Sequence, residues 1–462
     1  MRDYKDMQVV VMGAARQGLA LSRYLARHGA AVTLTDSRSA DELASQAASL
    51  EGSGIRLAFG GHPASILEGA DLLCLSGGVD PASAFVREAQ SRGIALSNDS
   101  QLFLEACPCQ TIGITGSAGK TTTTALVGKM AEAFFAMKGN RRRAWVGGNI
   151  GNSLIEDVDE MHPDDLAILE LSSFQLELMS ISPNIAAVLN ITPNHLDRHG
   201  SMSAYTAAKA RIILHQKQGD VAVLNREDPG SWAFTEQLRT DLISFGFQKP
   251  GPRENGTYIE KDQIWLQIYR DQLKMFPVDW VLLRGKHNLA NVLAACAIAA
   301  GASLALPAIQ SAVEAFSGVP HRLEFVRNLN GVDYYNDSIA TAPERVLAAI
   351  EAFDQPLVLL LGGRDKDLPW SKLAEVVRRR ASRVLLFGEA AELIAEAIGP
   401  RQRGQSLASV VKCKTLQEAV KTAAAQAVPG DVVLLSPGGT SFDAFKDFAE
   451  RGEMYRQWVN AL

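Results

Sequence analysis

The chain has 462 residues and nearly balanced charge, with 46 Lys and Arg against 51 Asp and Glu and a formal net charge of -5. This length exceeds what one hydrophobic core usually holds and predicts about three domains. The charge balance argues against a basic nucleic-acid-binding surface, so we expect no nucleic-acid partner. An anionic ligand would have to bind to basic groups that are clustered locally.

The cysteines and the apolar segments predict a soluble cytoplasmic protein. The five cysteines are odd in number and scattered, and Cys107 and Cys109 are too close for ordinary zinc pairing, so reduced thiols are expected. The apolar run near the N-terminus stops after a few residues, which fits neither a signal peptide nor a membrane span. We therefore expect no membrane association.

The chain opens with a strand, glycine turn, helix and second strand of the Rossmann type. The first strand is Gln8–Met12, the helix continues to about His28, and Asp36 ends the second strand, where an acidic residue usually binds a ribose or base. Ala15 replaces the middle glycine of the dinucleotide fingerprint, which leaves NAD, another nucleotide or no ligand open. This first domain is expected to close near Ala106.

A phosphate-binding loop is predicted within Thr111 to Leu126, which reads TIGITGSAGKTTTTAL. Glycines there allow close backbone approach, helix N–H groups face the anion, and Lys120 adds positive charge. Ile114 departs from the strict pattern, so a glycine-rich turn with a solvated lysine stays open. The candidate ATP ligands are Gly116, Ser117, Ala118, Gly119, Lys120, Thr121 and Thr122.

Two further strands are expected to deliver polar side chains to the same edge of the sheet. One ends at Glu170, and the other leads into the loop that contains His195. Glu170 suits a Mg²⁺ site or a helix cap, while His195 alone would more often be a surface or capping residue. By its helical context alone, Lys209 would be a solvated charge.

The remaining segments complete the predicted α/β chain. Residues 219–285 show short alternating strands that predict a small antiparallel appendage, and Asn288 and Asn291 then share a helix face. After a Gly-Pro break the alternation of strands and helices returns, with Asp337, Lys366 and Ser441 at strand ends. The fold class is therefore α/β: a Rossmann-like N-terminal domain (1–106), a central P-loop ATP-binding domain with the appendage (107–318) and a C-terminal Rossmann-like domain (319–462).

Ordered motifs over essentially the whole chain resemble the Mur ligase family, the ATP-dependent amide ligases of peptidoglycan precursor assembly. They include TGSAGKTTT, ELSSFQLE, NHLDRH, AAKARI, GKHNLANVLAA and SPGGTSFDAFKDFAERG. The resemblance implies that ATP phosphorylates the carboxylate of UDP-N-acetylmuramoyl-L-alanine and that the amine of D-glutamate attacks the resulting acyl phosphate. It also implies a monomer whose outer domains close on the central one.

The resemblance further implies the roles of individual residues. Lys120 would bind the β- and γ-phosphates, Thr121 and Glu170 one Mg²⁺, and His195 and carbamylated Lys209 a second. The remaining expected ligands are Asn288, Asn291, Arg322 and Asp337 for ATP, Arg16, Asp36, Ser37, Arg38 and Asn149 for the UDP substrate, and Thr341, Lys366, Ser441, Phe442 and Phe448 for the amino acid.

Some residues depart from the family pattern. Ile339 stands where many members carry lysine, and Ala342 where they often carry asparagine. These changes adjoin the expected nucleotide and amino-acid sites, so a ligase that adds L-glutamate or another amino acid stays open. A folylpolyglutamate synthase-like ligase, an NAD-dependent oxidoreductase and an inactive binding module are also compatible with parts of the sequence.

Overall fold

The computed structural model describes residues 3–139, 141–149, 151–366, 368–400 and 406–462, and only the backbone of Asp197. The chain forms two compact units: Met1–Val281 with Lys286–Phe316, and Leu282–Gly285 with Ser317–Leu462. The first unit contains the sheets of the first two predicted domains, and the second unit contains that of the third. Across the described ranges, no helix is both long and apolar enough to cross a membrane.

The first sheet is parallel, in the order β3-β2-β1-β4-β5. Its inner strands carry continuous runs of buried apolar residues because helices cover the sheet, as in doubly wound folds generally. The elements are β1 (Gln8–Met12), α1 (Arg16–Arg27), β2 (Ala31–Asp36), α2 (Ala44–Ala48), β3 (Arg56–Phe59), β4 (Leu72–Leu75), α3 (Ala84–Ser91), β5 (Ala95–Ser97) and α4 (Asp99–Ala106).

The second sheet, in the same unit, contains the phosphate-loop strand at an inner position. Its elements are β6 (Gln110–Thr115), α5 (Lys120–Lys138), β7 (Ala144–Gly148), β8 (Leu166–Glu170), α6 (Ser173–Leu176), β9 (Ile185–Val188), α7 (Leu196–His199), α8 (Met202–Leu214), β10 (Val221–Asn225), α9 (Pro229–Trp232), β11 (Asp241–Phe245), β12 (Asn255–Glu260), β13 (Gln263–Ile268), β14 (Asp271–Pro277), α10 (Lys286–Gly301) and α11 (Leu306–Ala315). The order is β14-β13-β12-β11-β10-β9-β6-β8-β7.

The predicted antiparallel appendage is part of this second sheet. Strand β13 pairs antiparallel with both β12 and β14, as expected, but β12 also pairs in parallel with β11. Strands β10 and β11 continue the parallel part of the sheet next to β9. The alternating pattern therefore identified hairpins correctly, while their attachment to the central sheet depends on hydrogen bonds that the pattern does not specify.

The second unit contains a sheet in the order β15-β16-β20-β17-β18-β19, parallel except for the β15–β16 pair. Its elements are β15 (Glu324–Leu329), β16 (Val332–Asn336), α12 (Pro343–Glu351), β17 (Leu357–Gly362), α13 (Ser371–Arg380), β18 (Ala381–Phe387), α14 (Ala391–Ile398), β19 (Ser409–Lys412), α15 (Leu416–Gln426), β20 (Val432–Gly438) and α16 (Phe448–Asn460). The predicted α/β class is confirmed for both units.

Candidate active site

The phosphate loop lies between β6 and α5, and its glycines are required by close contacts. Gly119 has φ +85°, and a Cβ atom there would stand 2.2 Å from Oδ1 of Asn291. At Gly116 a Cβ atom would stand 3.0 Å from the Cβ of Leu189. The backbone is thus pressed against its neighbours, and the first N–H groups of α5 are directed toward the loop.

Side chains beyond the loop fix its shape. Asn190 accepts a hydrogen bond from the Ala118 N–H at 2.8 Å and donates one to the Ala118 carbonyl at 3.1 Å. The Ser117 hydroxyl lies 2.8 Å from the Tyr205 hydroxyl. Neither Asn190 nor Tyr205 was among the predicted site residues, although Asn190 ends a predicted strand beside the loop and that position was a usable signal.

Lys120 and Lys209 converge on one carbonyl of the loop. Lys120 Nζ donates to the Gly116 carbonyl at 2.9 Å, and Lys209 Nζ donates to the same oxygen at 3.1 Å. Lys209 also donates to the Thr115 hydroxyl at 3.2 Å, and its ammonium lies 4.9 Å from the centre of the Tyr205 ring. Both predicted lysines therefore lie at the phosphate loop.

Lys209 is buried in a setting that favours its neutral amine. It is 1 % exposed, which corrects the solvated helix position that the sequence pattern alone predicted. Burial holds the pKa of Lys209 well below its usual range, and the nearby positive charge of Lys120 lowers that pKa further, while Glu170 opposes both effects. A lowered pKa increases the share of the neutral, nucleophilic amine.

Glu170 lies beside the phosphate loop and holds two side chains at once. It is 2 % exposed, accepts from the Thr121 hydroxyl at 2.9 Å and accepts from the Asn149 amide at 3.0 Å. The Asn149 N–H also donates to the Glu170 carbonyl at 2.8 Å. The structure thus joins the predicted metal ligands Thr121 and Glu170, and a hydroxyl with a carboxylate is an oxygen donor set that Mg²⁺ prefers.

His195 lies in a left-handed turn next to an aromatic cluster. It has φ +53° immediately before α7, and its ring centre is 5.1 Å from that of Phe174 on α6. Phe174 is also stacked on His199 and covered by the Arg198 guanidinium at 3.9 Å. Arg198 in turn donates to the Gly77 carbonyl at 3.0 Å, which ties the His195 turn to the first sheet.

The predicted uridine-diphosphate residues lie at the carboxyl end of the first sheet. Asp36 accepts from the Ala14 N–H at 2.7 Å and from Arg38 Nε at 3.0 Å, and its hydrogen bonds with Arg38 hold its pKa well below the usual range. Ser37 and Arg38 are exposed, and Arg16 donates to the Asn149 carbonyl at 3.4 Å. Asp36 therefore shapes the loop through protein groups, and its contact with a ligand stays a prediction.

The two asparagines of α10 share one face, as predicted. Asn291 donates to the Asn288 side-chain oxygen at 3.2 Å and is 7 % exposed beside Gly119. Asn291 therefore lies beside the phosphate loop, and the contact of both asparagines with the nucleotide stays a prediction.

In the second unit, Asp337 is buried directly after β16. It accepts from the Ser436 hydroxyl at 2.8 Å and from the Leu323 N–H at 3.3 Å, and Arg322 precedes Leu323 in the chain. Burial raises the pKa of Asp337 to about 7, although these hydrogen bonds and nearby positive charge oppose the shift. Its carboxyl group is therefore poised to change charge near neutral pH.

The predicted amino-acid ligands of the second unit differ in exposure. Ser441 is buried, whereas Phe442 is 62 % and Phe448 is 37 % exposed, which leaves two aromatic rings accessible. Lys366 is exposed and Thr341 is partly buried. Their joint contact with a ligand stays a prediction.

Arg451 is a supporting residue that was not predicted from the sequence. It is completely buried on α16 and donates to the Ser338, Gly439 and Thr440 carbonyls at 2.8 to 3.2 Å. These carbonyls belong to the turns that also carry Asp337 and Ser441, so Arg451 holds both turns in place. By its helix pattern Arg451 resembles a surface charge, so it was not among the predicted site residues although the motif SPGGTSFDAFKDFAERG contains it.

Comparison with protein-family models matches three segments. Residues 7–98 match "Mur ligase MurD-like, N-terminal domain", residues 114–299 match "Mur ligase middle domain" and residues 321–439 match "Mur ligase, glutamate ligase domain". Similar proteins include the UDP-N-acetylmuramoylalanine–D-glutamate ligase of Symbiobacterium thermophilum, which is 40 % identical over 98 % of both chains, and that of Pelotomaculum thermopropionicum, which is 37 % identical over 100 % of this chain and 99 % of its own.

Solved structures show the same fold. A UDP-N-acetylmuramate-alanine ligase from Thermotoga maritima is similar with a TM-score of 0.56 and 17 % identity, over 98 % of this chain and 99 % of its own. A MurF ligase from the same organism, solved in complex with ADP, is similar with a TM-score of 0.54 and 17 % identity, over 99 % of this chain and 96 % of its own. The α/β architecture thus recurs in these structures.

Proposed function

The chain belongs to the Mur ligase family, and we propose that it joins D-glutamate to UDP-N-acetylmuramoyl-L-alanine in an ATP-dependent reaction of peptidoglycan precursor synthesis. Relatives named for that activity match it over nearly their whole length at 34 to 40 % identity. The observation that carries the proposal is the phosphate loop on which Lys120 and Lys209 share one carbonyl, beside the Thr121–Glu170 pair. Such a site serves phosphoryl transfer to a carboxylate.

The chain's own residues bring two anions together. The α5 N-terminus and Lys120 neutralise the phosphates of ATP, while Asn149, which is bound to Glu170, positions the nucleotide-linked substrate beside them. The substrate carboxylate attacks the terminal phosphorus and ADP leaves, which forms an acyl phosphate. The amine of glutamate then attacks the carbonyl carbon, loses a proton, and expels phosphate to leave an amide.

Mg²⁺ fits the donor groups at this site. Thr121 and Glu170 would hold one ion, and His195 with a modified Lys209 would hold a second; bound Mg²⁺ supplies positive charge to the reacting phosphates. The neutral amine favoured by burial of Lys209 is the form that adds CO₂, with loss of one proton, to give a carbamate. That step converts an unsuitable cation into an oxygen ligand.

The second unit would supply the glutamate site. Its match to a glutamate ligase domain and its exposed Phe442 and Phe448 support this role, with Ser441, Thr341 and Lys366 as polar partners. ATP and a nucleotide-linked sugar are cytoplasmic metabolites, so we place the reaction in the cytoplasm. We further propose that the chain acts as a monomer.

A label-transfer experiment tests the acyl-phosphate route. Heavy oxygen placed in the terminal carboxylate of UDP-N-acetylmuramoyl-L-alanine should appear in the phosphate released during turnover, because one carboxylate oxygen leaves with phosphorus. Lys120→Ala should abolish phosphate release, since the loop would lose that ammonium group. Unlabelled phosphate from the unaltered chain, or near-normal turnover by the variant, would contradict the proposal.

A further inference from the structure

Cys107 and Cys109 form a close pair of thiols outside the proposed site. Their sulfur atoms lie 3.5 Å apart, and Cys107 Sγ is also 3.7 Å from the Cys109 carbonyl. Cys107 follows the last residue of α4 and is partly buried, whereas Cys109 precedes β6 and is 7 % exposed. A disulfide has a bond of about 2.0 Å, so the sulfurs need to approach by only about 1.5 Å.

The two thiols differ in the direction in which their pKa values are shifted. The hydrogen bond between the two thiols lowers the pKa of Cys107, although burial opposes that shift, whereas the same hydrogen bond and burial raise the pKa of Cys109. The thiolate is the form that attacks a disulfide. The half-buried Cys107 is therefore suited to react first with a small molecule, and Cys109 lies close enough to react second.

The surroundings favour covalent chemistry over metal binding. Among the described residues, no group of three or more His, Cys, Asp or Glu side chains could hold a metal ion. The remaining cysteines, Cys74, Cys296 and Cys413, are buried. Burial raises the pKa of Cys296 and, as the largest effect, that of Cys413, which disfavours their thiolates.

We propose that Cys107 and Cys109 are a reversible oxidation site that low-molecular-weight disulfides convert to an intramolecular disulfide. The Cys107 thiolate attacks one sulfur of the small disulfide, forms a mixed disulfide and expels a thiolate. Cys109 then gives up its proton to that thiolate and attacks Cys107 Sγ, which expels the second small thiolate. The protein loses two hydrogen atoms, the small disulfide becomes two thiols after protonation, and a dithiol reductant reverses the change.

This site lies at a junction of the first unit. Helix α4 is tied to α6 and the segment after it, because Asn98 at its N-terminal end donates to the Gln175 carbonyl at 2.7 Å and Gln101 accepts from the Ser180 N–H at 2.8 Å. Strand β6 leads directly to the phosphate loop. The disulfide would therefore restrain the short connection between α4 and β6, in which both cysteines lie.

The test uses the folded full-length chain, fully reduced and freed of reductant, with oxidised glutathione as the probe. We expect its mass to fall by two hydrogen atoms without a retained glutathione. Peptide mapping should place the disulfide within the segment that contains residues 107–109. Cys109→Ser should instead retain one glutathione on Cys107, because no second thiol can displace it. Cys296→Ser is the matched control and should behave as the unaltered chain does.

Any different outcome overturns the proposal. A stable glutathione adduct on the unaltered chain would show that Cys109 does not displace it. A disulfide mapped to another cysteine would show that the reactive site lies elsewhere. If the thiols fail to react in the folded chain but react once it is unfolded, Cys107 is inaccessible in the folded state. The mapping requires only the unaltered chain, so the test holds even if a serine variant folds poorly.

Discussion

Gly119→Ala should weaken ATP binding in addition to destabilising the fold. An L-residue in left-handed backbone costs about 1 to 2 kcal/mol, and Gly119 has φ +85°. Its new Cβ atom would stand 2.2 Å from Oδ1 of Asn291, whereas ordinary contacts need about 3.5 Å, so the buried amide must retreat by about 1 Å. Displacing that side chain from its rotamer adds about 1 kcal/mol at the nucleotide site.

Gly139→Ala supplies the control, because Gly139 ends the same helix. Its φ is +61°, and nothing lies within 4 Å of an added Cβ atom. Both variants should lose thermal stability through the left-handed backbone, but only Gly119→Ala should raise the Kd for ATP, by about fivefold, since about 1 kcal/mol is lost at the nucleotide site and each 1.4 kcal/mol is a factor of ten. Calorimetric titration with ATP measures the difference. Equal ATP affinity in the two variants would refute the contact argument.

Further variants test separate parts of the molecule. Lys209→Ala should be inactive and partly restored by short carboxylates that replace the carbamate; normal activity without them would contradict that role. Asp337 keeps its proton to about pH 7 when folded but to about pH 4 when unfolded, so rising pH across that interval destabilises the fold by at most about 4 kcal/mol. The Tm of Asp337→Asn relative to that of the unaltered chain should therefore rise from pH 5 to pH 8. A Tm difference that stays constant over this range would show that the carboxyl is already ionised. Arg451→Met should cost about 3 kcal/mol of unfolding free energy in denaturant titrations, because the Ser338, Gly439 and Thr440 carbonyls lose the guanidinium donor, although Thr440 keeps the Arg364 N–H, while Arg379→Met on the surface should change little.

The sequence was most informative where function depends on strand ends. Parallel strands deliver their following residues to one edge, so the position of Glu170 beside the phosphate loop was predictable from two apolar runs and a glycine loop, and the structure brings it to Thr121. The neighbouring asparagines of α10 followed equally from helical spacing. In both cases the regular spacing of residues along a strand or a helix determines which side chains can meet.

Burial of charged residues could not be predicted in the same way. Lys209 and Arg451 lie in helices whose patterns resemble solvated faces, and their burial depends on what packs over them. Asp36 is buried and Arg38, two residues later, engages both of its oxygens, while its contact with a ligand stays a prediction. These contacts depend on side-chain direction and tertiary packing, which periodicity does not encode.

The most direct test of the proposed function is phosphate release from ATP with UDP-N-acetylmuramoyl-L-alanine and Mg²⁺, comparing D-glutamate, L-glutamate and no amino acid. We predict release that depends on D-glutamate, which would also show that Ile339 is compatible with that substrate. Release with L-glutamate alone would contradict the assigned stereochemistry, and no release with either would contradict the assigned ligase reaction.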